Sequence, residues 1–184
     1  VTYDLAYGGA FYAYVELAKN KFNFDLTPNS YKTLIANGMA IKRAVINQNK
    51  EILHPFEDDL SFLYGTIFID NALDGINDSR NVCIFAEGEV DRSPTGSGVS
   101  GRMAIHKVRK EIDFGEKMRI ESITDSVFVG SIISEEKHLT ILVTSSLSSP
   151  KDRFPMIGFL GLVLISTTGA KLKFTPIRLQ CSPI

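Results

Sequence analysis

Cysteine occurs only twice and histidine three times in these 184 residues, and tryptophan not at all. Two cysteines, Cys83 and Cys181, argue against a disulfide scaffold and fit a reducing cytosol. Of the three histidines, His106 and His138 have no Cys, His or acidic partner at metal-ligand spacing and His54, before Pro55, reads as structural, so no metal site is expected. Neither sign of charge is in excess. A net charge of −1 gives no reason to expect nucleic acid or an anionic membrane as partner. The longest apolar run, Met156 to Ile165, is far short of the ~20 residues that a membrane helix requires. The opening Val1-Thr2-Tyr3-Asp4 lacks a basic region ahead of an apolar one, so no signal peptide is expected and the cytoplasm is the expected compartment. An initiator methionine is also lacking, and the first strand begins at once near Tyr3. The expectation is a chain that starts partway through a larger protein.

What is present is ordinary for a soluble globular chain of one domain or a little more, with 44% apolar and 22% charged residues. Residues 1–15 read as a strand broken by Gly8-Gly9. Asn29 or Ser30 can cap a helix from Tyr31 to about Asn47, on an apolar stripe through Leu34, Ile35, Met39, Ile41 and Val45. Strands are predicted over 61–69 and 81–87, joined by the polar, turn-rich residues 71–78. A helix follows over 97–109, then short β-branched strands over 118–123, 126–133 and 138–144. This order, with mostly short connections, predicts an α+β fold rather than a doubly wound parallel sheet. Residues 145–184 match no pattern that continues it.

The most informative stretch is Asp91-Arg92-Ser93-Pro94-Thr95-Gly96-Ser97-Gly98. A proline fixes the chain just before a small hydroxyl residue, and the glycines allow close approach of another molecule to the main chain. Strand, tight turn and helix start aim free N–H groups and a helix dipole at an anion. On the residues alone, an ordinary turn with a helix cap remains an equal alternative.

That stretch resembles the second active-site motif of the proline racemase family, whose fold is diaminopimelate-epimerase-like. Collinear stretches agree: Asp4-Leu5-Ala6-Tyr7-Gly8-Gly9-Ala10-Phe11-Tyr12-Ala13, His54-Pro55, Leu63-Tyr64-Gly65-Thr66-Ile67 and Ser79-Arg80-Asn81-Val82-Cys83. The resemblance runs from residue 1 to about 143. It implies a curved, mostly antiparallel sheet around a central helix, and three regions: a strand over 1–15 at the junction with a missing N-terminal half, a second epimerase-like domain over 16–144, and a divergent C-terminal segment over 145–184. The missing half would hold a Met-Cys-Gly-His-Gly motif with the catalytic cysteine. Neither Cys83 nor Cys181 has such a context, so half an active site is expected here.

Racemases of the family carry cysteine where this chain has Thr95, and the threonine form resembles the branch that dehydrates trans-3-hydroxy-L-proline. Two-base racemisation needs an acid–base group on each face of the ring. Thiols suit it because a pKa of ~8.5 can be tuned toward neutrality, whereas a threonine hydroxyl is far too weak an acid without a strong base beside it. His106, three helical turns away, cannot activate Thr95. If the neighbouring carbon carries a hydroxyl, removal of the α-proton can instead end in elimination of water, with no cofactor. By resemblance, Thr95 is the catalytic position, lining the far face of the ring. Asp91 takes the ring nitrogen, Gly96 and Ser97 hold the substrate carboxylate, and Phe85 packs on the ring. The bland readings are a helix cap for Thr95, a turn aspartate for Asp91, turn glycines and a core phenylalanine. His54 reads as structural, Arg92 as a turn anchor, and Gly8, Gly9 and Phe11 as a border of the cleft between halves. The implied partner is a small amino acid, hydroxyproline or proline, and the resemblance is compatible with a homodimer. Alternative readings are a proline or hydroxyproline racemase and a non-catalytic fragment that binds an amino acid.

Overall fold

The computed structural model describes residues 1–48, 52–54, 56–135, 160–164 and 174–183, with side chains described through Ser134. Among the described residues, nine strands form one sheet in the order β1-β2-β3-β4-β6-β7-β9-β8, with the short β5 paired to β4. These are β1 (Asp4–Tyr7), β2 (Phe11–Glu16), β3 (Leu63–Asp70), β4 (Ser79–Phe85), β5 (Glu89–Val90), β6 (Lys117–Glu121), β7 (Val127–Glu135), β8 (Leu160–Leu164) and β9 (Phe174–Pro183). The helices are α1 (Leu17–Asn20), α2 (Tyr31–Gln48) and α3 (Gly96–Val108).

The expected α+β architecture is present, and the sheet curls around α3. That helix packs against β1 and β2 at one end of the sheet and against β7, β8 and β9 at the other. Helix α2 covers β3 and β4. The sheet is mixed rather than purely antiparallel, because β2 pairs β3, and β4 pairs β6, in parallel. Parallel neighbours need a crossover connection. The two connections that hold the long helices provide them: α2 lies between β2 and β3, and α3 between β4 and β6. The expected strand over 138–144 lies outside the described residues, as do 145–159 and 165–173. In the backbone, β9 pairs β7 antiparallel and β8 pairs β9.

Strand alternation decides which residues meet which helix. In β2, Phe11, Ala13 and Val15 point to the core cluster that also holds Leu34, Met39 and Val45 of α2. Tyr12 and Tyr14 point the other way, into a cluster with Ile67, Cys83 and Ile105 of α3. Both faces are covered, so the strand lacks the polar positions of a half-solvated sheet. Val99, Met103 and Ala104 of α3 pack with Ile120 and Ile132 in a third cluster. Each fully buried aliphatic or aromatic side chain of this kind contributes about 1.5–3 kcal/mol.

Ser79-Arg80-Asn81 shows the same alternation with polar side chains. Arg102 of α3, itself buried, donates to Ser79 Oγ at 2.6 Å and Asn81 Oδ1 at 2.9 Å. Burial among neutral partners lowers its guanidinium pKa to about 10. Arg80 points to the opposite face, where Nε donates to Glu121 at 2.9 Å and the guanidinium also reaches Asp125 and the Leu26 carbonyl. Glu121 accepts in addition from the N–H groups of Leu73 and Asp74 and from Asn77 Nδ2, which orders the connection over 71–78. Among the described residues no helix is long and apolar enough to cross a membrane.

Burial alone would raise the Glu121 pKa, but the hydrogen bonds from Asn77, Leu73, Asp74 and Arg80 outweigh it and hold the carboxyl below its ordinary value of 4.5. A carboxylate depressed in the folded state stabilises above its unfolded pKa and loses that contribution as pH falls through the folded one. Urea denaturation should therefore show stability declining below about pH 4.5, with a shallower decline in Glu121→Gln. At pH 7, Glu121→Gln should be less stable by about 3 kcal/mol, because Arg80 loses its buried counter-charge. Equal stability of the two proteins at pH 7 would contradict this account.

Candidate active site

Where the first turn of α3 meets the β1–β2 hairpin, the surface opens into a cleft of about 470 Å³. It is lined by Gly9, Ala10, Tyr12, Tyr64, Ser93, Gly96, Ser97 and Phe128. That volume falls within the ~300–1,000 Å³ typical of small-molecule sites. It combines aromatic side chains with the start of a helix, Tyr12 reaching Ser97 and Phe128 lying beside Gly96.

Gly96 and Ser97 are the first residues of α3, and no side chain caps the helix there. The first N–H groups of a helix have no intrahelical acceptor. Gly96 and Ser97 line the cleft, with the positive end of the helix dipole at their position. Asp91 stands four residues before the helix N-cap and is half-buried. Its Oδ1 accepts from the Ser93 N–H at 2.8 Å, and its Oδ2 accepts from Thr95 Oγ1 at 2.9 Å. The turn role and the link to Thr95 therefore coexist in one carboxylate.

Thr95 is the N-cap residue by position but makes no capping bond with its side chain. It lies at φ 66°, ψ 98°, a region a β-branched residue rarely adopts. Three bonds hold it there: its hydroxyl to Asp91, its N–H to Ser93 Oγ at 3.1 Å, and its carbonyl from the Val99 N–H at 2.7 Å. Thr95 is 6% exposed and does not line the cleft in this chain. Phe85 stands behind the aromatic wall, stacked on Tyr64 at 5.5 Å between ring centroids with planes 11° apart.

The remaining sequence candidates take structural places. His54 packs on the rings of Tyr7 and Phe11, and its Nδ1 accepts from the Glu57 N–H at 3.1 Å. Burial lowers its pKa. His106 bonds Glu111 and approaches Arg102, and burial followed by that neighbouring cation lowers its pKa too. His138 lies outside the described residues. The Arg92 side chain is exposed, while its carbonyl accepts from Thr124 Oγ1 at 2.7 Å. Gly9 borders the cleft, whereas Gly8 and Phe11 are buried beneath it. Cys83 is buried, its carbonyl accepting from the Asp91 N–H at 3.0 Å, and burial pushes its pKa far up, so it remains a thiol at neutral pH.

The proline racemase family model matches residues 1–147. The chain belongs to the proline racemase family. It is 54% identical over 128 residues to a trans-3-hydroxy-L-proline dehydratase of Colwellia psychrerythraea, a match covering 70% of this chain and 35% of that protein. It is 39% identical over 135 residues to a 3-hydroxyproline 2-epimerase of Burkholderia multivorans, covering 73% of this chain and 39% of that one. Among solved structures it resembles a hydroxyproline epimerase from Agrobacterium vitis with bound trans-4-hydroxy-L-proline, with TM-score 0.65 and 24% identity over 99% of this chain and 43% of the other. The chain thus spans less than half the length of each of these proteins.

Sequence reading alone missed the tyrosines of the site. Tyr12 Oη lies 2.8 Å from Ser97 Oγ, and Tyr14 Oη donates to the Gly98 carbonyl at 2.9 Å. Their spacing of two in β2 was a signal that they share a face, but nothing in the sequence says that this face meets residues 97 and 98. Phe128 of β7 likewise reaches the cleft from a strand distant in sequence.

Strain at Thr95 can be measured. Thr95→Val keeps the branched shape and removes the bond to Asp91, which should cost about 1 kcal/mol. Thr95→Gly removes the same bond but relieves a backbone conformation that costs about 1–3 kcal/mol. By urea denaturation, Thr95→Gly should be at least as stable as Thr95→Val. A glycine variant clearly less stable than the valine variant would mean that no strain is stored there.

Proposed function

We propose that this chain supplies one half of the active site of a cofactor-independent hydro-lyase that converts trans-3-hydroxy-L-proline to a pyrroline-2-carboxylate. The observation that carries the reading is Thr95, a hydroxyl directed onto the Asp91 carboxylate where two-base chemistry needs a thiol. The nearby thiol of Cys83 does not replace it, being buried and protonated. The 54% identity to a protein named as such a dehydratase supports the same reaction.

In this scheme the substrate carboxylate sits on the N–H groups of Gly96 and Ser97, which also stabilise charge that develops as the α-proton leaves. Asp91 has lone pairs beyond those used by Ser93 and Thr95, and one of them takes the ring ammonium as a charge-assisted hydrogen bond. Phe85, with Tyr64 in front of it, backs the wall on which the ring packs. Thr95, buried outside the cleft lining with its hydroxyl on Asp91, returns no proton to the α-carbon. The electrons of the broken C–H bond form the ring double bond, the bond to the 3-hydroxyl breaks, and the hydroxyl leaves as water with a proton. The enamine then tautomerises to the pyrroline. The compartment that fits two cysteines without a disulfide scaffold is the cytosol.

The base that takes the α-proton is not in these 184 residues, which contain no Met-Cys-Gly-His-Gly. Asp91 is a poor substitute, because a carboxylate paired with an ammonium loses basicity. The chain alone should therefore turn over trans-3-hydroxy-L-proline at least about 10²–10⁴-fold more slowly than the same residues joined to a half that carries the motif. With that half present, pyrroline product from the 3-hydroxy substrate is expected, and no D-proline from L-proline in deuterated water. Thr95→Cys should then begin to form D-proline. D-proline from the unaltered threonine protein would return the racemase reading, and turnover by the isolated chain would overturn its silence.

A further inference from the structure

Tyr12 is 2% exposed, and its ring is held edge-on by Tyr14 at 6.2 Å and Tyr64 at 5.7 Å between centroids. Its hydroxyl reaches one polar partner among the described contacts, Ser97 Oγ at 2.8 Å. Geometry allows either oxygen to donate, but burial decides. If Ser97 donated, the nearly buried phenolic proton would have no other protein acceptor among the described residues, at a desolvation cost that the half-buried Ser97 hydroxyl does not carry. If Tyr12 donates, its proton is satisfied and the Ser97 proton turns to the cleft that Ser97 lines. Burial also pushes the Tyr12 pKa well above its ordinary value, so the phenol keeps its proton across the working range.

We propose that Tyr12 is a positioning residue, whose phenol holds the Ser97 hydroxyl so that Ser97 donates its own proton to the carboxylate of a cyclic amino acid. This rests on the reading of Gly96 and Ser97 as the carboxylate cradle. It adds a third donor to the two backbone N–H groups, one aimed by a strand rather than by the helix. Tyr14, two residues on, fixes the same turn through the Gly98 carbonyl, so the donor and the helix end move together.

The test is binding of L-proline, trans-3-hydroxy-L-proline and L-prolinamide to the 184-residue chain, followed by NMR titration. Tyr12→Phe keeps the ring packing, and Ser97→Ala removes the donor. Each should weaken L-proline by about tenfold, the size expected for one hydrogen bond to a charged group. Neither should weaken L-prolinamide comparably. The double variant should bind no worse than Ser97→Ala, because Tyr12 acts only through Ser97. Ser97→Thr, which keeps a hydroxyl, should restore affinity. In the unaltered chain the Tyr12 hydroxyl proton should exchange slowly and show proximity to the Ser97 methylene, a readout that needs no variant. Unchanged affinity in Tyr12→Phe, additive losses, equal losses for amide and carboxylate, a fast-exchanging Tyr12 proton, or no saturable binding of L-proline would each overturn the proposal. Turnover separates it from the dehydratase reading. Coupled losses without water elimination by the completed site would remove the reaction and keep the positioning role, whereas elimination without coupling would do the reverse.

Discussion

The first two turns of α3 approach the β1–β2 hairpin so closely that a methyl group does not fit at the contact, and the cleft exists because of that approach. A Cβ on Gly8 would collide with the Ser97 carbonyl and the Gly101 N–H, both backbone atoms that cannot swing aside. A Cβ on Gly101 would collide with the Tyr14 hydroxyl, the same hydroxyl that bonds the Gly98 carbonyl. Interiors this dense transmit small displacements rather than absorbing them. Any change that lifts α3 from the hairpin would move the Gly96 and Ser97 amides, the Tyr12–Ser97 bond and the cleft wall together.

The turn before α3 is held by a different means. Thr95 sits in a costly backbone conformation, and a short polar chain through Asp91 and Ser93 keeps it there. Strain of this kind persists only where surrounding contacts over-determine it. The consequence is a helix start that Thr95 does not cap, since its hydroxyl is turned to Asp91 instead. The bland reading of Thr95 as a simple cap does not describe the arrangement, whereas the turn reading of Asp91 describes half of it. Beneath the turn, Arg102 and Arg80 anchor the two faces of β4 at Ser79-Arg80-Asn81, one to the central helix and one to the carboxylate of β6. Both cations are buried with their hydrogen bonds made, which ties strand, helix and loop into one polar framework.

Much of the fold could be read from the chain because its local signals agree. The helix of residues 31–48 follows from its apolar stripe, and α3 begins within one residue of the start read from Thr95-Gly96-Ser97. The strands at 63–70 and 79–85 follow from β-branched and aromatic residues bounded by turn formers. What local pattern does not encode is direction of pairing. Parallel contacts of β2 with β3 and of β4 with β6 arise because each intervening helix carries the chain back to the same end of the sheet, and no single window of sequence contains that information.

The site divides along the same line. Sequence by itself determined the family, the run from Asp91 to Gly98, the helix that starts there, and the threonine where a thiol would be required for two-base chemistry. Those properties reside in a contiguous stretch, where proline, glycine and hydroxyl residues dictate a turn and a helix start through their own backbone preferences. Only the tertiary structure decided that Tyr12, Tyr64 and Phe128 complete the cleft, that Phe85 stands behind Tyr64, and that the Thr95 hydroxyl turns to Asp91. Tyr12, Tyr64, Phe85 and Phe128 come from four strands spread over more than about a hundred positions, and they meet because the sheet curls around α3, which local sequence preferences do not specify.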